Sequence, residues 1–320
     1  MGEFELIRQF FTRPTPRAVL GVGDDCALLQ PASGMQLAIS SDMLVSGRHF
    51  FSDADPYALG HKALAVNLSD LAACGAKPIA FTLALALPQA DPVWLQAFSQ
   101  GLLTLADVHG CELIGGDTTQ GPLNICITVL GEVPPGQALL RSGAQAGDDI
   151  YVSGTLGDAR LALEIRRHQM PLAVDAIAAA CRRMDMPTPR VELGIALRGI
   201  ASAAADVSDG LLGDLGHILE RSGVGATVHV DTAQGLMQGA RTAHAAGLDV
   251  AGFVLAGGDD YELVFTAAPA QREAVQAAAT SSNTSVTRIG HIDALQGLRL
   301  LSADGTKLPN RFASFDHFAS

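Results

Sequence analysis

At 320 residues, 48% of them hydrophobic and 17% charged, the chain is too apolar for a disordered protein and long enough for two domains. A chain of this size buries roughly 70–75% of its unfolded surface, so it needs neither disulfides nor a structural metal to fold. A net charge of −12, without any basic run, argues against a nucleic-acid surface.

The five cysteines (Cys26, Cys74, Cys111, Cys126 and Cys181) are odd in number and form no CxxC pair, the pattern of free thiols in a reducing compartment. The opening "MGEFELIRQFF" is acidic and amphipathic, unlike a secretory signal, and position 6 lacks the Ser or Thr that myristoylation requires. The longest apolar run, "IAFTLALALP", is about half a membrane span. A soluble cytoplasmic protein that does not engage the membrane is expected.

Along the chain, "LGVGDDCALLQ" and "MQLAISSDMLV" have strand character, separated by a turn at Pro31–Gly34. The pattern becomes helical from Pro56 to Ala76, ended by Gly75 and Pro78. "IAFTLALALP" predicts a buried strand, and Pro92–His109 an amphipathic helix carrying Trp94, Phe98, Leu102 and Leu105. "CELIGGDTT" and "LNICITVLGEV" predict two further strands, and "PPGQALLRSGAQAGD" a domain junction.

Beyond it come a strand "DIYVSG", a helix near Asp158–His168 and a helix over Arg190–Ala203. Leu211, Leu212, Leu215, Ile218 and Leu219 then mark one face of a helix closed by Gly223. Strands "ATVHV" and "GFVLAGGDDYELVFTA", a helix Pro269–Ala279 and a strand "SVTRIGHI" follow. Strands and helices mix in both halves, so the expected class is α/β or α+β, with domains at 1–140 and 141–320. An echo of short acidic signatures supports that boundary. "GDD", "LSD" and "GGD" (23–25, 68–70, 115–117) are answered by "GDD", "VSD" and "GGD" (147–149, 207–209, 257–259), although matches this short also arise by chance.

The acids are lopsided, 24 Asp against 9 Glu, and Asp serves turns and caps as readily as it holds Mg²⁺. Asp70 is the only charge between Ala63 and Ala76, sharing a helix flank with Asn67. A carboxylate among Ala and Leu is costly unless it binds a metal or is otherwise paired, and both readings stand. Asp24 and Asp25 follow "GVG" in a turn. Ser40, Ser41 and Asp42 end an apolar run, and Asp117 follows two glycines that suit close approach of a phosphate. Asp206 and Asp209 flank Ser208 at a helix start, where capping and phosphate binding compete.

Five separate stretches ending on Asp beside Gly or Ser suggest a carboxylate cluster. Such a cluster repels itself unless divalent cations bind it. Hard oxygen ligands without His/Cys spacing select Mg²⁺, and Mg²⁺ completes its shell with phosphates. Only three lysines occur and none lies in a Walker loop, so a nucleoside triphosphate would be held without a P-loop.

"GVGDDCALL", "SSDMLVSGRHF", "NLSDLAACGAKP", "IGGDTT", "DVSDGLLGDL" and "GGDDYEL" occur in order, and "FDHF" at 315–318 closes the series. Together they resemble the motif series of the thiamine-monophosphate kinase family, in the superfamily of aminoimidazole-ribonucleotide synthetase and selenophosphate synthetase. The resemblance implies phosphorylation of thiamine monophosphate by ATP with several Mg²⁺ ions. It also implies an N-terminal domain that pairs through a β-barrel in a homodimer, with flanking helices, and a C-terminal α+β domain that closes a cleft.

By motif, the implied metal ligands are Asp25, Ser40, Ser41, Asp42, Asp70, Asp117, Asp206 and Asp209, with Asp70 and Asp209 at the reaction itself. Gly116, Asp117, Arg141 and Ser208 are implied to contact ATP; His49, Asp259 and Phe315 are implied to contact thiamine monophosphate. Two positions depart from the family. Asp259 stands where "GGEDYEL" has Glu, and Ser46 and Arg48 stand in "LVSGRHF" where "LVEGVHF" is common. A ribonucleotide cyclo-ligase, a selenophosphate synthetase or a silent Mg²⁺-nucleotide subunit are the alternatives.

Overall fold

The computed structural model describes residues 2–168 and 174–312. The chain divides into two compact units, Met1–Leu71 with Ala76–Gly136, and Ala72–Gly75 with Gln137–Ser320.

The first unit opens with a short helix α1 (Glu3–Leu6), continued as π-helix over Ile7–Phe11, and a small antiparallel pair, β1 (Ala18–Leu20) with β2 (Leu28–Leu29). Its main sheet holds β3 (Gln36–Val45), β4 (Lys77–Leu87), β5 (Glu112–Gln120) and β6 (Asn124–Val133) in the order β3-β6-β4-β5. Two helices, α2 (Pro56–Ala73) and α3 (Pro92–His109), supply the remaining layer. Both start alike. Asp55 accepts the Ala58 N–H and Asp91 the Val93 N–H, each directly before a proline at the first helical position. Gly110, left-handed at φ 58°, ends α3.

Leu64, Leu68, Phe81, Leu85, Phe98, Leu102, Leu113 and Ile125 are all essentially excluded from solvent and form the core. Gly60 and Gly101 let α2 and α3 touch backbone to backbone. A Cβ on Gly101 would stand 1.9 Å from the Tyr57 carbonyl oxygen, and one on Gly60 2.1 Å from that of Phe98.

The second unit is built on seven strands: β7 (Asp149–Ser153), β8 (Ala203–Asp206), β9 (Gly225–His229), β10 (Leu263–Ala267), β11 (Val286–Asp293), β12 (Gly297–Leu301) and β13 (Lys307–Leu308). Their order is β13-β12-β9-β11-β7-β10-β8, antiparallel throughout except for β12 beside β9. The helices are α4 (Asp158–His168), α5 (Val174–Asp185), α6 (Val191–Ala196), α7 (Leu211–Ser222), α8 (Val230–Gln234), α9 (Ala240–Ala245), α10 (Val250–Ala256) and α11 (Arg272–Ser281). Leu211, Leu215 and Ile218, the expected apolar stripe of α7, are fully buried.

Four expectations change. "LGVGDDCALLQ" is a hairpin with Gly23 at φ 124° in its turn, because successive Gly and Asp residues break the strand. The strand expected over "GFVLAGGDDYELVFTA" is helix α10, a glycine turn and β10; Asp249 caps the helix by accepting the Gly252 N–H. The helix expected to reach Ala203 stops at Ala196, before Gly199 at φ 70°. No closed barrel forms among the described residues of the first unit, whose sheet ends at β3 and β5. Among the described residues no helix is long and apolar enough to cross a membrane.

Candidate active site

Strand alternation sorts the β3 residues. Ser40 and Asp42 face α2, and the Ser40 hydroxyl donates to Asp70 Oδ2 while Asn67 Oδ1 accepts the Asp42 N–H at 3.1 Å. Asn67 is itself anchored by donating to the Ala63 carbonyl, one helical turn back. Edge strand and helix thus present Ser40, Asp42 and Asp70 together. Ser41 points to the other face, where its hydroxyl donates to the Ile127 carbonyl at 3.1 Å and lies 3.0 Å from Thr128 Oγ1.

Other residues of the first unit stand apart. Asp25 is exposed in the β1–β2 turn, its N–H on Asp24 Oδ1. Asp117 is exposed on β5, at the opposite sheet edge from Asp42, three strand spacings or about 14 Å along the sheet. Gly116 is required by β4 itself: at φ 147°, a Cβ would meet the Leu83 carbonyl oxygen at 1.9 Å. That local reason stands beside the expected one, room for a phosphate. His49 Nδ1 accepts the Val45 N–H at 2.9 Å, so the neutral ring carries its proton on Nε2.

In the second unit Asp206 ends β8, buried, and the chain turns through Ser208 and Asp209 into α7. Capping and phosphate binding are the competing readings of this helix start; capping is visible, since Asp214 Oδ2 accepts the N–H groups of both Ser208 (3.0 Å) and Asp209 (3.1 Å). Burial and then the Asp209 charge push the Asp214 carboxyl up to about 7, against the two amides and Arg141, which draw it down. Arg141 therefore acts electrostatically on this turn, although it is exposed.

The 257–262 segment is sewn to the same turn. Asp259 N–H donates to the Ser208 carbonyl (2.7 Å), Tyr261 N–H to that of Val207 (2.9 Å), and Val207 N–H to that of Glu262 (2.7 Å). The structure so brings Asp206, Ser208, Asp209 and Asp259 together. Phe315 lies outside the described residues.

Sequence reasoning missed Asp214 and Glu262. The available signals were a lone acid on the apolar face of "LLGDL" and a third acid in "GGDDYEL". Asp214→Ala is expected to lower kcat about tenfold and to cost roughly 1–3 kcal/mol of stability, because two part-buried amides lose their acceptor. Asp214→Asn, which keeps an acceptor oxygen, should recover most of both, measured by steady-state kinetics and denaturant unfolding.

Among the described residues no three or more His, Cys, Asp or Glu side chains gather as a ready-made metal cage. The donors present, Asp42 and Asp70 with a serine hydroxyl in one unit and Asp206 and Asp209 in the other, are hard oxygens. That sparse set fits Mg²⁺, which takes one or two carboxylates and completes its shell with water and phosphate.

Residues 23–133 match the N-terminal domain, and residues 145–301 the C-terminal domain, of AIR synthase related protein. The chain is 45% identical to a thiamine-monophosphate kinase of Salmonella typhimurium over 324 aligned positions, covering 100% of this chain and 99% of the relative. It is similar to the crystal structure of thiamine-monophosphate kinase from Stenotrophomonas maltophilia, with TM-score 0.84 and 46% identity over 94% of this chain and 95% of that one. AaThiL complexed with AMPPCP and TMP is also similar, with TM-score 0.79 and 28% identity, covering 90% of this chain and 89% of the other.

Proposed function

The chain belongs to the thiamine-monophosphate kinase family of AIR synthase-related proteins, and from that membership we propose that it transfers the γ-phosphoryl group of ATP to thiamine monophosphate. The products are thiamine diphosphate and ADP. The observation that carries this reading is the likeness to such kinases along the entire length of the chain. Incubation with ATP and thiamine monophosphate, followed by chromatography of the products, tests it. ADP formed without thiamine diphosphate, or no turnover at all, sinks it.

In this reading an oxygen of the acceptor phosphate attacks the γ-phosphorus in line and ADP leaves, so no covalent protein intermediate is needed. The task of the side chains is to align two polyanions. Ser40, Asp42 and Asp70 from the first unit, with Asp25, Ser41 and Asp117, and Asp206 and Asp209 from the second, would hold Mg²⁺. When bound, Mg²⁺ supplies the neutralising charge that lets donor and acceptor phosphates approach.

Ser208, Gly116, Asp117 and Arg141 are assigned to ATP, with Arg141 contributing a permanent positive charge. His49, through its Nε2 proton, Asp259 and Phe315 are assigned to thiamine monophosphate. Residues 1–140 then serve metal and nucleotide binding and dimerisation, and 141–320 form the C-terminal α+β domain. A homodimer is supported by the face of edge strand β3 that exposes Leu37, Ile39 (63% accessible) and Met43 side by side. A reducing cytoplasm suits five cysteines that form no disulfide.

With so few lysines and no P-loop, ATP should bind far more tightly with Mg²⁺ than in EDTA. Calorimetry in the two conditions checks this; equal affinities would remove the metal from the binding step.

A further inference from the structure

We infer that Arg183 and Arg190, by gripping Glu262, are positioning residues that hold the 257–261 turn, and with it Asp259, against the Val207–Asp209 segment. The inference rests on the kinase reading above only for its kinetic consequence.

Glu262 is completely buried, and both its carboxylate oxygens are engaged. Arg190 grips it with two donors, Nε to Oε2 and Nη2 to Oε1, each at 2.6 Å. Ser153 Oγ donates to Oε2 at 2.6 Å. That forked pairing already neutralises the acid. Arg183 is a second cation on the same carboxylate, Nη2 to Oε1 at 2.8 Å, and the same nitrogen also donates to the Asp260 main-chain carbonyl of the turn at 3.1 Å and, at 3.5 Å, to that of Thr155. Its Nε is buried without an acceptor among the described residues, a cost that charge pairing alone does not require.

The turn needs external support. Gly258, Asp259 and Tyr261 all lie in the left-handed region, at φ 70°, 64° and 51°. For Asp and Tyr this conformation is unfavourable and persists only where neighbours over-determine it. Asp tolerates it better than most residues, which suits Asp259 to its place. Gly258 cannot be replaced, since a Cβ would stand 2.6 Å from the Ser208 carbonyl oxygen. The carboxylate of Glu262 on one side, its carbonyl bonded to Val207 on the other, and the buried Asp260 carboxylate accepting the Gly157 N–H (3.0 and 3.1 Å) together hold the preceding turn in position. Arg183 locks that position from α5.

The test uses the full-length chain with Arg183→Gln and Arg183→Lys. Hydrogen exchange at the amides of Asp259 and Tyr261 is expected to speed up about tenfold or more in Arg183→Gln, with the β10 amides unchanged. KM for thiamine monophosphate should rise about tenfold and KM for ATP stay within about twofold. Arg183→Lys, which keeps a charge and one donor, should recover part of both effects, and it carries the test if Arg183→Gln does not fold. Unchanged exchange at Asp259 and Tyr261 overturns the inference, as does equal acceleration along β10, which would mean a general loss of stability. If the native chain does not act on thiamine monophosphate, the kinase reading falls and the exchange measurement still decides the role of the clamp.

Discussion

Asp70→Asn is expected to lower turnover by about 10²-fold or more, roughly 3 kcal/mol of transition-state stabilisation, while the chain keeps its fold. Asp70 sits where α2 meets β3, takes the Ser40 hydroxyl on Oδ2, and stands one helical turn from Asn67, which orients the Asp42 main chain. The amide is nearly the same shape and can still accept from Ser40, so packing around Leu64, Leu68 and Leu71 is undisturbed. What is lost is the negative charge that makes a carboxylate a stronger Mg²⁺ ligand than a neutral amide oxygen. The measurement is kcat at saturating ATP, thiamine monophosphate and Mg²⁺, beside a thermal melt that should match the native chain. Near-normal turnover would remove Asp70 from the metal site and return it to a hydrogen-bonding role.

Gly101→Ala should have the largest structural effect. The added methyl would lie 1.9 Å from the Tyr57 carbonyl oxygen, which belongs to the rigid backbone of α2 and has no rotamer to retreat into. The two helices must part, at a cost of about 3 kcal/mol, the upper end for overpacking. Thermal unfolding should then shift down by roughly 5–10 °C. Because α2 also carries Asn67 and Asp70, the displacement should reach the site and depress kcat. Gly216 provides the control: it lies in α7 with open space for 4 Å around the point where a Cβ would stand, so Gly216→Ala should be neutral or slightly stabilising. A melting temperature for Gly101→Ala within a degree of the native value would show that the α2–α3 contact is slack.

How far the chain could be understood beforehand depended on the range of the forces involved. The limits of α3 were legible residue by residue, because Asp91, Pro92 and Gly110 act on their own neighbours. The same holds for α4 over Asp158–His168 and for the apolar stripe of α7. The run "GFVLA" was opaque. Its apolar residues have no period that separates a buried strand from a short helix, and only the Asp249 cap and the packing around it settle the matter. Helix α5, which carries Arg183, was not anticipated at all.

The site divides along the same line. Local chemistry was enough to place acids beside Gly and Ser at the ends of elements, and to recognise hard oxygen donors suited to Mg²⁺. That Ser40 and Ser41 face opposite ways follows from strand alternation, but which of them meets Asp70 depends on the face that α2 covers, 30 residues away in the chain. Asp214 looked like one more acid in a helix, and only the folded turn makes it the acceptor for Ser208 and Asp209. Glu262 draws Ser153 across 109 residues, Arg183 across 79 and Arg190 across 72. A residue's chemical type is a property of the chain, whereas its hydrogen-bond partner, its face and its exposure are set by which distant segments pack against it.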